Sequence, residues 1–316
     1  MSPPPSTRNS VIDLLRAACV LYIVGFWHLM TYTEAFPGYH NGVTTRLTVA
    51  VLAVFMFVSG LCVAESFARS GPDARGFYRK RLLRVYPLFI LACLLFLALK
   101  LANGAALLRA LLLISPLWGK QPMTLWFIAN LCLYYLLLPL LARQGVGSRR
   151  FWLMALGIEA VLCVAPLLSG TDNRGAIYFP AFCLGICFAG KAAPALGHWA
   201  VAALAALGVS LLAGGDPEQS LASIGLAMGV PVLVLFGTTR LLGHFSMPRL
   251  VHALAYAGFA AYLLHRVVFK LLMARLTPFA EETRLLCLLA VGVPLVFGLA
   301  WGIQRGYDYL LERRSR

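Results

Sequence analysis

Three ionisable side chains stand in the first apolar stretch of the chain, residues 9–32, where a charge needs a physical reason. Asp13 and Arg16 are three positions apart, so a helix places them on one face, close enough to pair. His28 follows twelve residues after Arg16, or ~18 Å further along a helix axis. An imidazole ordinarily titrates near neutral pH, which suits a general base in proton transfer. The stretch therefore predicts a charged pair near one membrane face and a candidate catalytic histidine near the other.

Each of these residues also has a purely structural explanation. Ser10-x-x-Asp13 has the spacing of a capping box, which would make Asp13 a helix-start residue. Arg16 could extend to the lipid headgroups, and His28 could make an ordinary hydrogen bond at a helix end. The other motifs of the chain favour the functional explanation.

A basic segment at residues 77–87, Phe-Tyr-Arg-Lys-Arg-Leu-Leu-Arg-Val-Tyr-Pro, offers a site for an anion. Arg81 and Arg84 would share one face at the start of a helix, and the planar fork of arginine suits phosphate oxygens. Tyr86 precedes Pro87, which should bend the entry into the third span. A cluster of cations before a membrane span is equally typical of a plain anchor at the inner membrane face.

Polar residues within other apolar runs are further candidates. Ser59, followed by a glycine, predicts close packing between helices. Glu159 lies inside an apolar run, where a carboxylate is a functional candidate by default. His265 stands in a cluster of cations in the ninth apolar run. It could line the same cavity as His28 or make a hydrogen bond between helices.

The composition indicates a polytopic membrane protein. Hydrophobic residues make up 60% of the 316 residues and charged residues 12%, which excludes an ordinary soluble domain. The net charge of +15 would suggest a nucleic-acid partner for a soluble protein, but here it fits cytoplasmic loops rich in Lys and Arg. The eight cysteines lie in apolar runs without a Cys-x-x-Cys pair, so we expect free thiols and no metal site. We expect the first run to be a membrane span rather than a cleaved signal, because it is long and charged.

Ten apolar runs are predicted to be transmembrane helices. They lie near residues 10–32, 43–66, 84–102, 125–142, 151–169, 176–190, 197–214, 220–239, 251–274 and 284–304. A further run at 105–118 is too short to span comfortably and predicts a re-entrant or outer-face segment. With ten spans, most Lys and Arg residues fall on one side, which predicts that both termini are cytoplasmic. The prediction is an all-α membrane bundle forming one domain over 1–316, with a disordered tail at 1–9 and no soluble domain.

Five motifs follow one another along the chain. They are Asp13-Leu-Leu-Arg16 with the distal His28, Phe55-Met-Phe-Val-Ser59-Gly60, the basic segment 77–87, Leu125-Trp126-Phe127 and Tyr262-Leu-Leu-His265. In this order they resemble the acyltransferase 3 family of bacterial integral-membrane O-acyltransferases, and the resemblance covers nearly the whole chain. One departure concerns a glutamate that many members carry five residues after the tryptophan matched by Trp126. Here that position is Leu131, so no role of the glutamate carries over.

The resemblance implies transfer of an acyl group, mostly acetyl, from cytoplasmic acyl-CoA to a hydroxyl of an extracytoplasmic sugar or envelope polysaccharide. Acyl-CoA would be a co-substrate, no further cofactor or metal is expected, and the acceptor would be a carbohydrate or glycolipid. The location implied is the bacterial inner membrane. No nucleic-acid partner is expected.

The resemblance also implies roles for individual residues. His28 matches the proposed catalytic histidine of the family. The residues expected to bind the acyl donor are Arg16, Arg81, Arg84 and Tyr86. The residues expected to support them are Asp13, Ser59, Trp126, Glu159 and His265.

Two other classes of function remain open from the sequence. A transporter or flippase for a lipid-linked glycan or small solute could use the same intramembrane charges. The lack of internal repeats and of Gly- or Pro-broken helix pairs argues against it. A non-catalytic scaffold would leave Asp13, Arg16 and His28 unexplained.

The remaining histidines have simpler explanations. His40 lies in a predicted outer loop, where it is either solvated or in contact with an acceptor sugar. His198, His244 and His252 lie near the predicted inner face, and interfacial placement explains them.

Overall fold

The structure is a computed structural model that describes residues 10–69, 73–189, 196–213 and 215–315. Every regular element in these residues is helical, and they contain no β-strand, which confirms the all-α prediction. The predicted N-terminal tail at residues 1–9 lies outside the described residues, as does the side chain of His198.

Twelve α-helices follow one another along the described chain. They are α1 (Ser10–Tyr22), α2 (Gly42–Arg69), α3 (Ala74–Ala98), α4 (Gly104–Leu111), α5 (Trp126–Arg143), α6 (Arg149–Ser169), α7 (Arg174–Phe188), α8 (Leu196–Leu212), α9 (Ser223–Leu242), α10 (Arg249–Leu276), α11 (Glu281–Cys287) and α12 (Val293–Ser315). A π-helical turn, Ile23–Trp27, and a 3₁₀ turn, Leu29–Tyr32, extend α1. A second π-helical segment, Leu288–Gly292, joins α11 to α12.

All ten predicted runs are helical. Among the described residues, eight helices are long and apolar enough to cross a membrane, with Ser10–Tyr32 and Glu281–Arg313 each counted as one span. Two shorter apolar helices, Arg174–Phe188 and Ala200–Leu212, occupy the positions of the sixth and seventh runs. The short run at 105–118 contains α4, which is 8 residues long. The protein is therefore a polytopic helical membrane bundle.

α3 begins at Ala74, well before the predicted start at residue 84. The Asp73 side chain accepts a hydrogen bond from the Gly76 N–H and caps the first turn. Hydropathy alone misses these turns because they are rich in Arg and Lys. Arg81 and Arg84 therefore lie within a helix rather than at its start, and Pro87 lies inside the same helix.

Glycines allow α2 and α7 to pack closely together. A Cβ atom on Gly60 would clash with the backbone of Phe182, and one on Gly185 would clash with the backbone of Phe57. Neither position can take a larger residue unless the two helices move apart. Ser59 is half-buried beside Gly60, so the glycine explains the tight packing that the Ser-Gly pair predicts.

α1 packs against α2 and α10, and α10 also contacts α3 and α12. Side-chain contacts join both ends of α1 to α10: Asp13 meets His252, and His28 meets His265. The two helices therefore run in the same direction. This parallel pair positions the candidate site.

The eight cysteines form no disulfide bonds in the structure. No group of three His, Cys, Asp or Glu side chains that could hold a metal ion occurs in the part of the chain that the structure describes.

Candidate active site

A π-helical turn reshapes the end of α1 and carries His28. The His28 N–H donates to the Ile23 carbonyl oxygen at 2.9 Å, a hydrogen bond that spans five residues instead of the usual four. Such a turn adds one residue to the helix and rotates all that follows, and π turns are frequent at functional sites. After this turn, the His28 side chain points to α10.

His28 and His265 form a hydrogen-bonded pair. Nδ1 of His28 lies 2.7 Å from Nε2 of His265. The ring centroids are 4.8 Å apart, and the ring planes differ by 4°. A short distance between nitrogens of coplanar rings is the geometry of an edge-to-edge hydrogen bond rather than of face-to-face stacking. His265 is fully buried and His28 is half-buried, so His28 is the member of the pair that can meet a substrate.

The next partner fixes the direction of this hydrogen bond. Nδ1 of His265 lies 2.8 Å from the Tyr262 backbone carbonyl oxygen, which can only accept, so this nitrogen carries a proton. In a neutral imidazole the other nitrogen is then an acceptor, and the proton between the two rings belongs to Nδ1 of His28. Nε2 of His28 is left unprotonated. The pair therefore presents a nitrogen that can take a proton from a substrate.

The guanidinium group of Arg266 lies beside the histidine pair. Its Nε donates to Thr124 Oγ1 at 3.1 Å, and its Nη1 donates to Thr31 Oγ1 at 3.0 Å. Thr31 in turn donates to the His28 carbonyl oxygen at 2.6 Å, so one hydroxyl links Arg266 to the turn that carries His28. Arg266 is only 8% exposed. Among the described residues, no carboxylate lies within ion-pair distance of it.

Thr124 holds Arg266 from an unusual backbone conformation. Its φ of 64° lies in the left-handed region, which β-branched residues rarely adopt. Its side chain accepts from Arg266, and its carbonyl oxygen accepts from the Tyr262 hydroxyl at 2.9 Å. Strained backbone of this kind persists only where surrounding contacts enforce it, and it clusters at functional sites.

Further polar groups lie in the neighbourhood of His28. His40 lies in the loop after the 3₁₀ turn, with its ring edge-on to Trp27 at a centroid distance of 4.5 Å. Partial burial lowers the pKa of His40, and the Glu218 carboxylate opposes this effect. His40 lies within electrostatic range of His28.

A second group of polar residues connects α7 with the loop before α9. Arg174 pairs with Glu218 at 2.8 Å and with Asp172 at 3.6 Å. Burial raises the pKa of Asp172, while the neighbouring Arg174 opposes the shift. The Arg174 guanidinium also lies 4.8 Å from the ring centroid of the buried Trp126. Arg174, like His40, acts electrostatically on His28. Trp126 therefore contacts a residue in the surroundings of the histidine pair, and its supporting role stays a prediction.

The opposite end of the α1–α10 pair carries Asp13. Its Oδ2 lies 2.8 Å from Nδ1 of His252, and its Oδ1 lies 4.0 Å from Nη1 of Arg16. The expected Asp13–Arg16 pair is therefore present, but His252 is the closer partner. Interfacial placement had explained His252 from the sequence. The sequence does carry one signal for the contact between Asp13 and His252. The length of helix from Asp13 to His28 is similar to that from His252 to His265, roughly 20 Å in each case.

A cavity of about 330 Å³ lies between α3 and α5. Arg75, Arg79, Arg81 and Tyr86 line it. The rest of its wall is mainly apolar and includes Leu82, Val85, Leu113, Cys132, Tyr135 and Leu136. The Arg81 guanidinium lies 5.8 Å from the ring centroid of Tyr135. An almost wholly apolar cavity with arginine residues in its lining suits a ligand that has an anionic head and a less polar arm.

Arg84 lies apart from this cavity. It is exposed, does not line the cavity, and lies within electrostatic range of Tyr256 on α10. Three residues advance a helix by about 300°, so positions 81 and 84 point in directions that differ by roughly 60°. Arg16 and Arg81 both act electrostatically on Cys62 of α2.

Glu159 is separate from the histidine pair. Its helix, α6, packs against α5 and α7. Cys163 Sγ donates to Glu159 Oε1 at 3.7 Å, and Oε2 is buried without a hydrogen-bond partner in the described residues. The structure therefore brings His28 and His265 together and leaves Glu159 outside their contacts.

Comparison with known proteins adds one finding. A family model for an acyltransferase domain, acyltransferase 3, matches residues 9–305. The matched range includes both ends of the α1–α10 pair and the arginine-lined cavity. No curated protein and no solved structure matches the chain. Because the family model covers nearly all of the 316 residues, the chain belongs to the acyltransferase 3 family.

Proposed function

We propose that this membrane acyltransferase moves an acyl group, most simply acetyl, from acyl-CoA to a hydroxyl group of an extracytoplasmic carbohydrate, envelope polysaccharide or glycolipid. Family membership supports acyl transfer in general. The observation that carries the proposal is the hydrogen-bond chain from the Tyr262 carbonyl through His265 to His28, which leaves Nε2 of His28 free. A hydroxyl is a weak nucleophile that needs such a base.

In the proposed reaction, His28 Nε2 takes the proton of the acceptor hydroxyl as its oxygen attacks the thioester carbonyl carbon. A C–O bond forms, and the carbonyl oxygen becomes an anion. Collapse of this intermediate breaks the C–S bond, and the departing CoA sulfur receives the proton from His28. His265 touches no substrate in this scheme and acts as a positioning residue that fixes the tautomer of His28.

The arginine-lined cavity is the proposed donor site. Arg81 would bind the phosphates of acyl-CoA with Arg75 and Arg79, and Tyr86 would line the same cavity. Arg16 would contribute from α1. Arg84 has no part in this cavity, so a contribution from it would require contact with the donor outside the cavity.

The reactive end of the donor would have to travel along α1 from this cavity to His28. A much smaller cavity of about 10 Å³ lies beside α1, lined by residues that include Ile23, Phe55, Phe127 and Tyr262. A pantetheine arm would need these rings to move apart.

The proposed acceptor site is the polar region around His28. Its carboxylates and the His40 imidazole can accept hydrogen bonds from sugar hydroxyls, and the Trp27 ring offers an apolar face. The positive-inside pattern supports an arrangement in a bacterial inner membrane with both termini in the cytoplasm and His28 near the opposite face.

The test uses the purified protein in proteoliposomes with radiolabelled acetyl-CoA. Glucose, N-acetylglucosamine and isolated envelope polysaccharide serve as acceptor probes. We expect release of CoA thiol that depends on the saccharide, and label that becomes covalently attached to it. Movement of a saccharide across the membrane without CoA release would contradict the proposal and indicate a transporter.

A further inference from the structure

We propose that Arg266 stabilises the negative charge that develops on the thioester carbonyl oxygen during acyl transfer. This inference rests on the proposed function and adds a catalytic residue that the family motifs do not include. Its basis is a buried positive charge beside His28 for which the described part of the protein supplies no carboxylate.

The cost of burial is the first argument. A charged side chain inside a membrane protein costs several kcal/mol unless a partner compensates it. Two threonine hydroxyls and the Tyr32 ring, 5.6 Å from the guanidinium carbon, solvate Arg266 without neutralising it. A neutral residue could join the same helices at lower cost. The charge is therefore explained by an anion that is present only during the reaction.

The second argument is the way Arg266 is held. Thr124 binds Nε from a strained backbone conformation, and Thr31 binds Nη1. These bonds use two of the five N–H donors of the guanidinium group, and Nη2 donates to no other described residue. Thr31 is exposed, so this side of Arg266 lies next to accessible space. A preorganised donor that still has free N–H groups is what an oxyanion site requires.

Position supplies the third argument. Arg266 follows His265 directly in the chain, and Thr31 links it to the carbonyl oxygen of His28. Arg266 also acts electrostatically on the His28 imidazole, so base and guanidinium are neighbours at this end of the α1–α10 pair. As the acceptor oxygen attacks, the C=O π electrons move onto the carbonyl oxygen, where Arg266 donates hydrogen bonds. When the C–S bond breaks, the carbonyl re-forms and the charge on Arg266 is again unpaired.

The experiment compares Arg266→Gln and Arg266→Lys with Lys270→Gln in the acetyl-CoA and saccharide assay. Lys270 lies one turn further along α10 and is exposed, which makes it a matched control for loss of a cation. We expect Arg266→Gln to lower kcat roughly 10²- to 10³-fold, as for loss of an oxyanion donor, while acetyl-CoA affinity changes less than about twofold. Arg266→Lys should retain an intermediate rate. Lys270→Gln should match the wild type.

Chemical rescue separates catalysis from folding. Guanidinium ions added to folded Arg266→Ala should restore part of kcat, whereas a purely structural residue would show no rescue at low guanidinium concentration. A kcat within about threefold of wild type in Arg266→Gln would overturn the inference, since a single oxyanion donor contributes far more. So would a loss confined to acetyl-CoA binding. If the wild-type protein itself released no CoA with any acceptor, the proposed function would fail, and that result is distinct from an active wild type with active Arg266 variants.

Discussion

The two ends of the α1–α10 helix pair differ in how their charges are balanced. At the Asp13 end, the carboxylate lies 2.8 Å from His252 and 4.0 Å from Arg16, so groups of the protein compensate it. The His252 side chain is 30% exposed, and water can replace part of what it contributes. This is the arrangement of a structural link between two helices.

At the other end of the helix pair, the positive charge is not balanced by a negative one among the described residues. His28 and His265 bond to each other without a carboxylate, and the buried Arg266 beside them has none within ion-pair distance in the described residues. Both ends contain a histidine whose Nδ1 donates a hydrogen bond. The difference supports the proposal that an unpaired cation next to an unprotonated imidazole nitrogen, rather than a histidine as such, marks the reactive end.

The largest expected effect is that of His28→Gln, which is compared with the same substitution of His252 at the other end of the helix pair. His28→Gln should lower turnover of acetyl-CoA with a saccharide roughly 10²- to 10⁴-fold, because the general base is lost. His252→Gln should stay within about threefold of wild type, since it removes no group that meets the reacting atoms. Both variants should bind acetyl-CoA like the wild type in an equilibrium binding assay. Equal losses of turnover in the two variants would contradict the proposed difference between the two ends.

A smaller effect is expected for His265, which acts through His28. His265→Leu removes the acceptor that orients His28 Nδ1–H, and kcat should fall ~10- to 100-fold, the loss typical when a partner that orients a metal-binding histidine is removed. His265→Gln keeps a hydrogen-bonding group and should recover part of the rate. The KM for the saccharide should stay constant in both variants. An unchanged kcat in His265→Leu would show that His265 does not position His28.

The third effect concerns donor affinity rather than turnover. Arg81→Lys keeps the charge but loses the planar fork, so acetyl-CoA affinity should fall about tenfold. Arg84→Lys is the matched control, because Arg84 lies outside the cavity and its substitution should leave affinity unchanged. Isothermal titration calorimetry with purified protein measures both. Equal losses of affinity would show that Arg81 and Arg84 both bind the donor. No loss in either variant would show that the basic segment is a simple membrane anchor.

Hydropathy predicts the helices of this fold because each must present about 20 apolar residues to a bilayer. It fails at α3, where three basic turns precede the apolar run and the Asp73 cap sets the true start. Residue spacing in a straight helix also does not distinguish Arg81, which lines the cavity, from Arg84, which does not. The helix contacts α5 and α10, and a difference of roughly 60° is enough to turn the two side chains to different neighbours.

The candidate site is less accessible to prediction, because it depends on contacts between distant segments. His28 can be singled out from its intramembrane position, yet the π turn that aims it at His265 leaves no clear trace in residue types. The partners of Arg266 come from two other segments, and Thr124 reaches it only through a left-handed backbone that its sequence disfavours. No local pattern encodes these contacts.

The smallest effect on activity is expected at the Asp13 end. Asp13→Asn keeps the size of the side chain but removes the charge-assisted hydrogen bond to His252, so the folded state should lose about 1–3 kcal/mol. The midpoint of thermal unfolding in detergent should fall, while kcat in the folded fraction stays within about threefold of wild type because the reacting atoms lie ~20 Å away. Glu282→Gln, which neutralises an exposed carboxylate at the start of α11, should change neither quantity. A large loss of kcat with unchanged stability would show that the Asp13 end takes part in catalysis, and the contrast between the two ends would then be wrong.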